Sequence, residues 1–60
     1  MDKADKRMIT GYTEIVSRVA RDLREAQDGE RNRELASFYR RSAEDLEFVT
    51  SDLNDTLSRI

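Results

Sequence analysis

Two apolar stripes at heptad spacing, out of phase with each other, constrain this chain more than any other feature. The first runs Ile9, Tyr12, Val16, Val19, Leu23, Ala26, with steps 3-4-3-4-3. That alternation is the signature of a helix burying one seam, with Ile9, Val16 and Leu23 at a and Tyr12, Val19 and Ala26 at d. The second runs Leu35, Tyr39, Ser42, Leu46, Val49, Leu53, Thr56, Ile60, with Tyr39, Leu46, Leu53 and Ile60 at a. From Leu23 to Tyr39 is sixteen residues, two heptads plus two. A continuous coiled coil absorbs insertions of three or four residues, and a slip of two fits neither. One unbroken helix is the rival to a turn, and the slip argues against it.

The break falls in Gln27-Asp28-Gly29-Glu30-Arg31-Asn32. Gly29 is expected to end the first helix in the left-handed conformation that glycine adopts without steric cost. Asp28 or Asn32 is then the cap of the second. The reading is all-α: one domain over residues 1–60, a two-helix antiparallel hairpin. Helix 1 is expected over about 3–27, the turn over about 28–31 and helix 2 over about 32–59. Asp2 and Asp5 suit the first turn of helix 1, where acids meet the positive end of the helix dipole. Gly11 falls on the polar side and costs about 1 kcal/mol of helix propensity.

Folding back there pairs positions whose numbers sum to roughly 57. Leu35 meets Leu23, Tyr39 lies near Val19 and Arg18, Leu46 near Tyr12, and Val49 near Met8 and Ile9. Arg7, Glu14, Arg21 and Asp28 form a wholly charged opposite edge. Met8, Ile15, Ala36, Phe38, Ala43 and Leu57 flank the seam, and a hairpin alone leaves them partly wet. Pairing of two hairpins into an antiparallel four-helix bundle would cover them.

A chain of 60 residues buries little surface and needs a staple: disulfides, a metal or a partner. Cys and His are both absent, which removes disulfides and the usual ligands for zinc, copper, haem and iron–sulfur sites. Association is the staple that remains. Charged residues are 40% of the chain, yet the net charge is −2, a mixture of signs that suits a solvated helical surface. No apolar run reaches the length of a membrane span or a signal-peptide core. The expectation is a cytoplasmic protein with no membrane contact, no cofactor and no small-molecule substrate.

Catalysis is disfavoured. A nucleophile would have to come from Ser, Thr, Lys or a carboxylate with a base beside it, and Ser37, Ser42, Ser51 and Ser58 have no such neighbour in the pattern. The acids Glu44, Asp45, Glu47, Asp52 and Asp55 lack the glycine turn and ligand spacing of a calcium loop. They read as a solvated face lying beside Lys3, Lys6 and Arg7.

Seven arginines (18, 21, 24, 31, 33, 40 and 41) crowd the turn half. The expected pairing sets Arg18 and Arg21 level with Arg40 and Arg41, a basic end able to meet nucleic-acid phosphates. Asp22, Glu25, Asp28, Glu30 and Glu34 interleave with them and neutralise them at helical spacings. Phe48 falls at position c, off the seam, among acids and serines. Aromatics are enriched at interface centres, so Phe48 joins Met8, Ile15, Phe38 and Leu57 as a candidate partner-contact residue. Ser42 and Thr56 at d are small enough to allow close helix approach, or to fix register.

The run Glu34-Leu35-Ala36-Ser37-Phe38-Tyr39 resembles a segment of the haemolysin-expression-modulating family of small helical nucleoid regulators. That resemblance implies pairing with a DNA-organising protein. It spans six residues of sixty and assigns no family. In size and architecture the chain is also similar to the hairpin co-chaperones of type III secretion needles. The functional expectation is a non-enzymatic regulator, adaptor or co-chaperone that binds itself or another helical protein. The alternative is a nucleic-acid-binding hairpin dimer contacting phosphates through Arg18, Arg21, Arg40 and Arg41.

Overall fold

Asp2 opens the first helix. Its carboxylate accepts the N–H of Asp5 at 3.0 Å, and its own backbone is extended, as an N-cap requires. In the computed structural model, which describes residues 2–59, helix α1 then runs Lys3–Gly29 and helix α2 runs Arg33–Ser58. The two pack antiparallel against each other along an object 46 Å long and only 14 by 11 Å across. A helical hairpin is the whole architecture of the described residues. Ile60, expected at an a position, lies outside them.

The turn is built differently from the expected one. No described residue, glycine included, has positive φ, and α1 continues through Gly29. The chain leaves the helix at Glu30, which is extended (φ −89°, ψ 127°) and donates its N–H to the Gln27 carbonyl at 3.2 Å. The Glu30 carboxylate then accepts the Asn32 N–H at 3.0 Å. Asn32 in turn accepts the Leu35 N–H on its side-chain oxygen at 3.0 Å, as the N-cap of α2. The Glu30 N–H thus serves a carbonyl at the end of α1 and the Asn32 side chain a donor at the start of α2, so the turn closes without a left-handed glycine. The break therefore spans Glu30–Asn32, beginning one residue after Gly29.

The seam is also rotated from the expected one. The most deeply buried residues are Thr13, Ala20 and Ala43, at 8%, 4% and 0% exposure, and all three stand at heptad position e. Ile9, Val16 and Leu23 of α1 and Tyr39, Leu46 and Leu53 of α2, all at a, are half-buried beside them. Ala36, Thr50 and Leu57, also at e, are half-buried too. At 100° per residue, exchanging an a/d seam for an a/e seam turns each helix by about 50°. Ala36, Ala43 and Leu57, expected to stay wet, are thus drawn into the interface. Tyr12, Val19, Leu35 and Val49, expected inside it, are exposed; Thr56 is exposed and Ser42 half-buried.

Side-chain size accounts for the rotation. The e column holds Thr13, Ala20, Ala36, Ala43 and Thr50, whose small volumes let two backbones approach and gain dispersion contacts along their length. A d column of Tyr12, Val19, Leu35 and Val49 would hold them apart. The buried threonine is no polar liability, because Thr13 Oγ1 donates to the Ile9 carbonyl one turn back at 2.8 Å. Thr50 does the same to Leu46 at 2.8 Å.

Register follows from the contacts across the seam. Arg24 reaches Glu47, and Ser17, Ala20, Arg21 and Arg24 share one hollow with Glu47 and Thr50. The turn ends, Gly29 and Arg33, set the pairing a few residues beyond the expected one, and the long Arg24 and Glu47 side chains reach along the helices to meet. Of the acids that begin at Glu44, Glu47 is the one held by α1, through Arg24. A hollow at the start of α1 is lined by Lys3, Lys6, Arg7 and Thr10 with no residue from α2.

Candidate interaction face

In each helix, positions d and g lie on the same side of the a/e seam. Because the helices run antiparallel, their d/g sides turn toward the same side of the hairpin. Met8, Tyr12, Ile15 and Val19 of α1 and Leu35, Phe38 and Val49 of α2 occupy those positions, and all seven are exposed. Tyr12 and Phe38 each leave 55% of their surface in solvent. Single exposed apolar residues are ordinary; seven on one side of so small a hairpin make a sizeable apolar surface, interrupted at d and g by Asp22, Ser42 and Asp45. Phe38 is steadied by an edge-to-face contact with Tyr39, centroids 6.1 Å apart and rings at 61°.

The other side of the hairpin is polar. There Arg24 and Glu47, both at b, form a two-pronged pair: Nε donates to Oε2 at 2.9 Å and Nη2 to Oε1 at 2.8 Å. Arg24 Nη1 also donates to Gln27 Oε1 at 3.3 Å. The hydrogen bond from Arg24 holds the Glu47 carboxyl below its ordinary value, against a smaller opposing effect of desolvation. Glu47 likewise makes the guanidinium harder to deprotonate. Both side chains remain more than a third exposed, so the pair fixes geometry more than it adds stability.

The five candidate contact residues separate. Met8, Ile15 and Phe38 lie at g on the apolar face, half in solvent. Phe48 is 75% exposed but at c, on the outer flank of α2 directly away from the seam. Leu57 is half-buried at e, within the seam. Tyr12, Val19, Leu35 and Val49 belong to the face instead, and the heptad reading had spent them on the interior. The signal that would have placed them is the run of alanine and threonine at e, recurring every seventh residue in both helices.

The four arginines are not gathered onto one surface. Arg18 and Arg41 both stand at c, which puts them on opposite outer flanks. Arg21 lines the hollow beside Arg24 and Glu47, and Arg40 reaches back to Ser37 Oγ on its own helix at 3.4 Å. Among the described residues no group of three acids converges where a metal ion could be held, and no helix is long and apolar enough to cross a membrane. Comparison with protein-family models, curated proteins and solved structures gives no match to the chain.

Proposed function

We propose that the chain is a non-enzymatic protein–protein interaction module, a regulator, adaptor or co-chaperone of the cytoplasm, that works through helix-on-helix contacts. One observation carries the reading: seven apolar side chains exposed on one side of the two helices, away from the Arg24–Glu47 pair. Helices recognise one another by laying such a stripe into a partner's apolar groove. The chemistry of the chain adds support, since it has neither His nor Cys to serve as general base, nucleophile or soft ligand.

The test is photo-crosslinking in intact cells of the native host. A photoreactive amino acid replaces Ile15 or Phe38 on the face, or Glu14 on the charged edge as reference. Adducts to polypeptide from the two face positions, well above those from Glu14, are the expected result. Their fractionation with soluble cytoplasmic material tests the compartment. Face positions that yield no polypeptide adduct, self or foreign, would overturn the reading.

A further inference from the structure

We infer that the occupant of the apolar face is a second copy of this chain, paired face to face about a two-fold axis into a four-helix bundle. This rests on the interaction reading and names its partner. Three features of the hairpin carry it: its area, its relief and its charge.

The chain exposes 4890 Å², whereas a compact monomer of 7.0 kDa exposes about 4,000 Å². The excess, on the order of 900 Å², is close to the roughly 800 Å² that each partner gives to a stable protein–protein interface. Among the described residues no large side chain is fully buried inside the hairpin, so apolar surface that could stabilise the chain is still uncovered. A second hairpin of the same length covers the face from end to end.

The relief of the face is self-complementary. At the open end the bulk stands on α1, as Met8, Tyr12 and Ile15, while α2 beyond Val49 carries the small or polar Asp52 and Thr56. At the turn end the order reverses, with Leu35 and Phe38 on α2 and Ala26 and Gly29 on α1. The result is a ridge running diagonally across the face with a trough on each side. Rotation by 180° about an axis lying in the face, along or across the helices, sets the ridge of one copy into the troughs of the other. An isologous interface demands that property of a single surface.

The rim is self-complementary in charge. Asp22 on α1 and Asp45 and Asp52 on α2 stand at g within the face, with Arg18 and Arg41 behind them at c. Both signs occur on both edges, and the chain as a whole is nearly balanced, at −2. A uniformly basic or acidic partner would meet repulsion along such a rim, while a second copy offers both signs back.

The experiment is sedimentation of the full chain from low to high micromolar concentration, run beside the Ile15 crosslink. The expected species is about twice 7.0 kDa, with self-adducts from Ile15. Ile15→Glu should raise the dimer dissociation constant at least 100-fold or so, whereas Phe48→Glu, on the outer flank, should leave it unchanged. A wild-type chain that stays at 7.0 kDa throughout overturns the inference, whatever the variants do. Monomers that still crosslink to a different polypeptide through Ile15 would overturn the second copy and spare the interaction reading. Monomers with no adduct would overturn both.

Discussion

Ala43→Leu is the substitution that most sharply separates the observed seam from the one a heptad reading suggests. In an a/d hairpin residue 43 is a flank position, and a leucine there would be neutral or mildly favourable. In the a/e hairpin it is wholly enclosed, at 0% exposure, opposite a helix that approaches closely because its own e residues are Thr13 and Ala20. Three added heavy atoms have no room unless the helices separate along the seam. Overpacking of this kind costs about 1–3 kcal/mol. Helix propensity offsets almost none of it, since Ala and Leu both rank at the top of the scale. For a domain of this size that lowers the melting midpoint by about 5–20 °C. The assay is thermal unfolding by circular dichroism at two protein concentrations a decade apart, because association makes the midpoint concentration-dependent. Ser51→Leu, exposed at f, is the reference and should stay within about 0.5 kcal/mol of wild type. An Ala43→Leu midpoint equal to or above wild type would refute the a/e seam.

The remaining expectations concern the helix interiors, the turn and the acid limb. Gly11 and Gly29 lie within α1 without positive φ, and an added Cβ meets nothing within 4 Å at either. Gly11→Ala should therefore stabilise by up to about 1 kcal/mol, and Gly29→Ala, at the helix end, by less. Denaturant midpoints that fall for Gly29→Ala would restore the left-handed turn. Asn32→Ala removes the acceptor for the Leu35 N–H and should cost about 1 kcal/mol, read in the same titration. The hydrogen bond from Arg24 holds the Glu47 carboxyl below its ordinary value in the folded chain. Its contribution is thus present above that value and fades as pH falls through the lower, folded one. Glu47→Gln should flatten the acid side of a stability-against-pH curve, and an unaltered acid limb would show that Arg24 does not act through that charge.

Two helices and the break between them were legible in residue spacing, because a two-residue slip has no helical explanation. The way the break is made was less so. Gly29 drew attention as the obvious cap, yet the exit is an extended Glu30, and the acceptors are Glu30 and Asn32. Nothing local in Gly29 distinguishes a helical glycine from a left-handed one. The rotation of the seam was harder still. Position a is shared by both alternatives, and choosing d or e as its companion sets large apolar residues against small ones. Hydrophobicity favours Tyr12, Val19, Leu35 and Val49, whereas close approach favours Thr13, Ala20, Ala36 and Ala43. Approach won inside the hairpin, and that outcome put the larger residues on its face. The same rotation separated Phe48 and Leu57 from Met8, Ile15 and Phe38.

Positions e close the hairpin and positions d and g form its apolar face, so the two sets of residues have no member in common. Changes at Met8, Ile15 or Phe38 alter what the face meets while leaving every contact that Ala20 and Ala43 make. The apolar face can drift in sequence on a scaffold whose closest packing lies elsewhere. Only the a positions, leaning toward both sides, tie one history to the other.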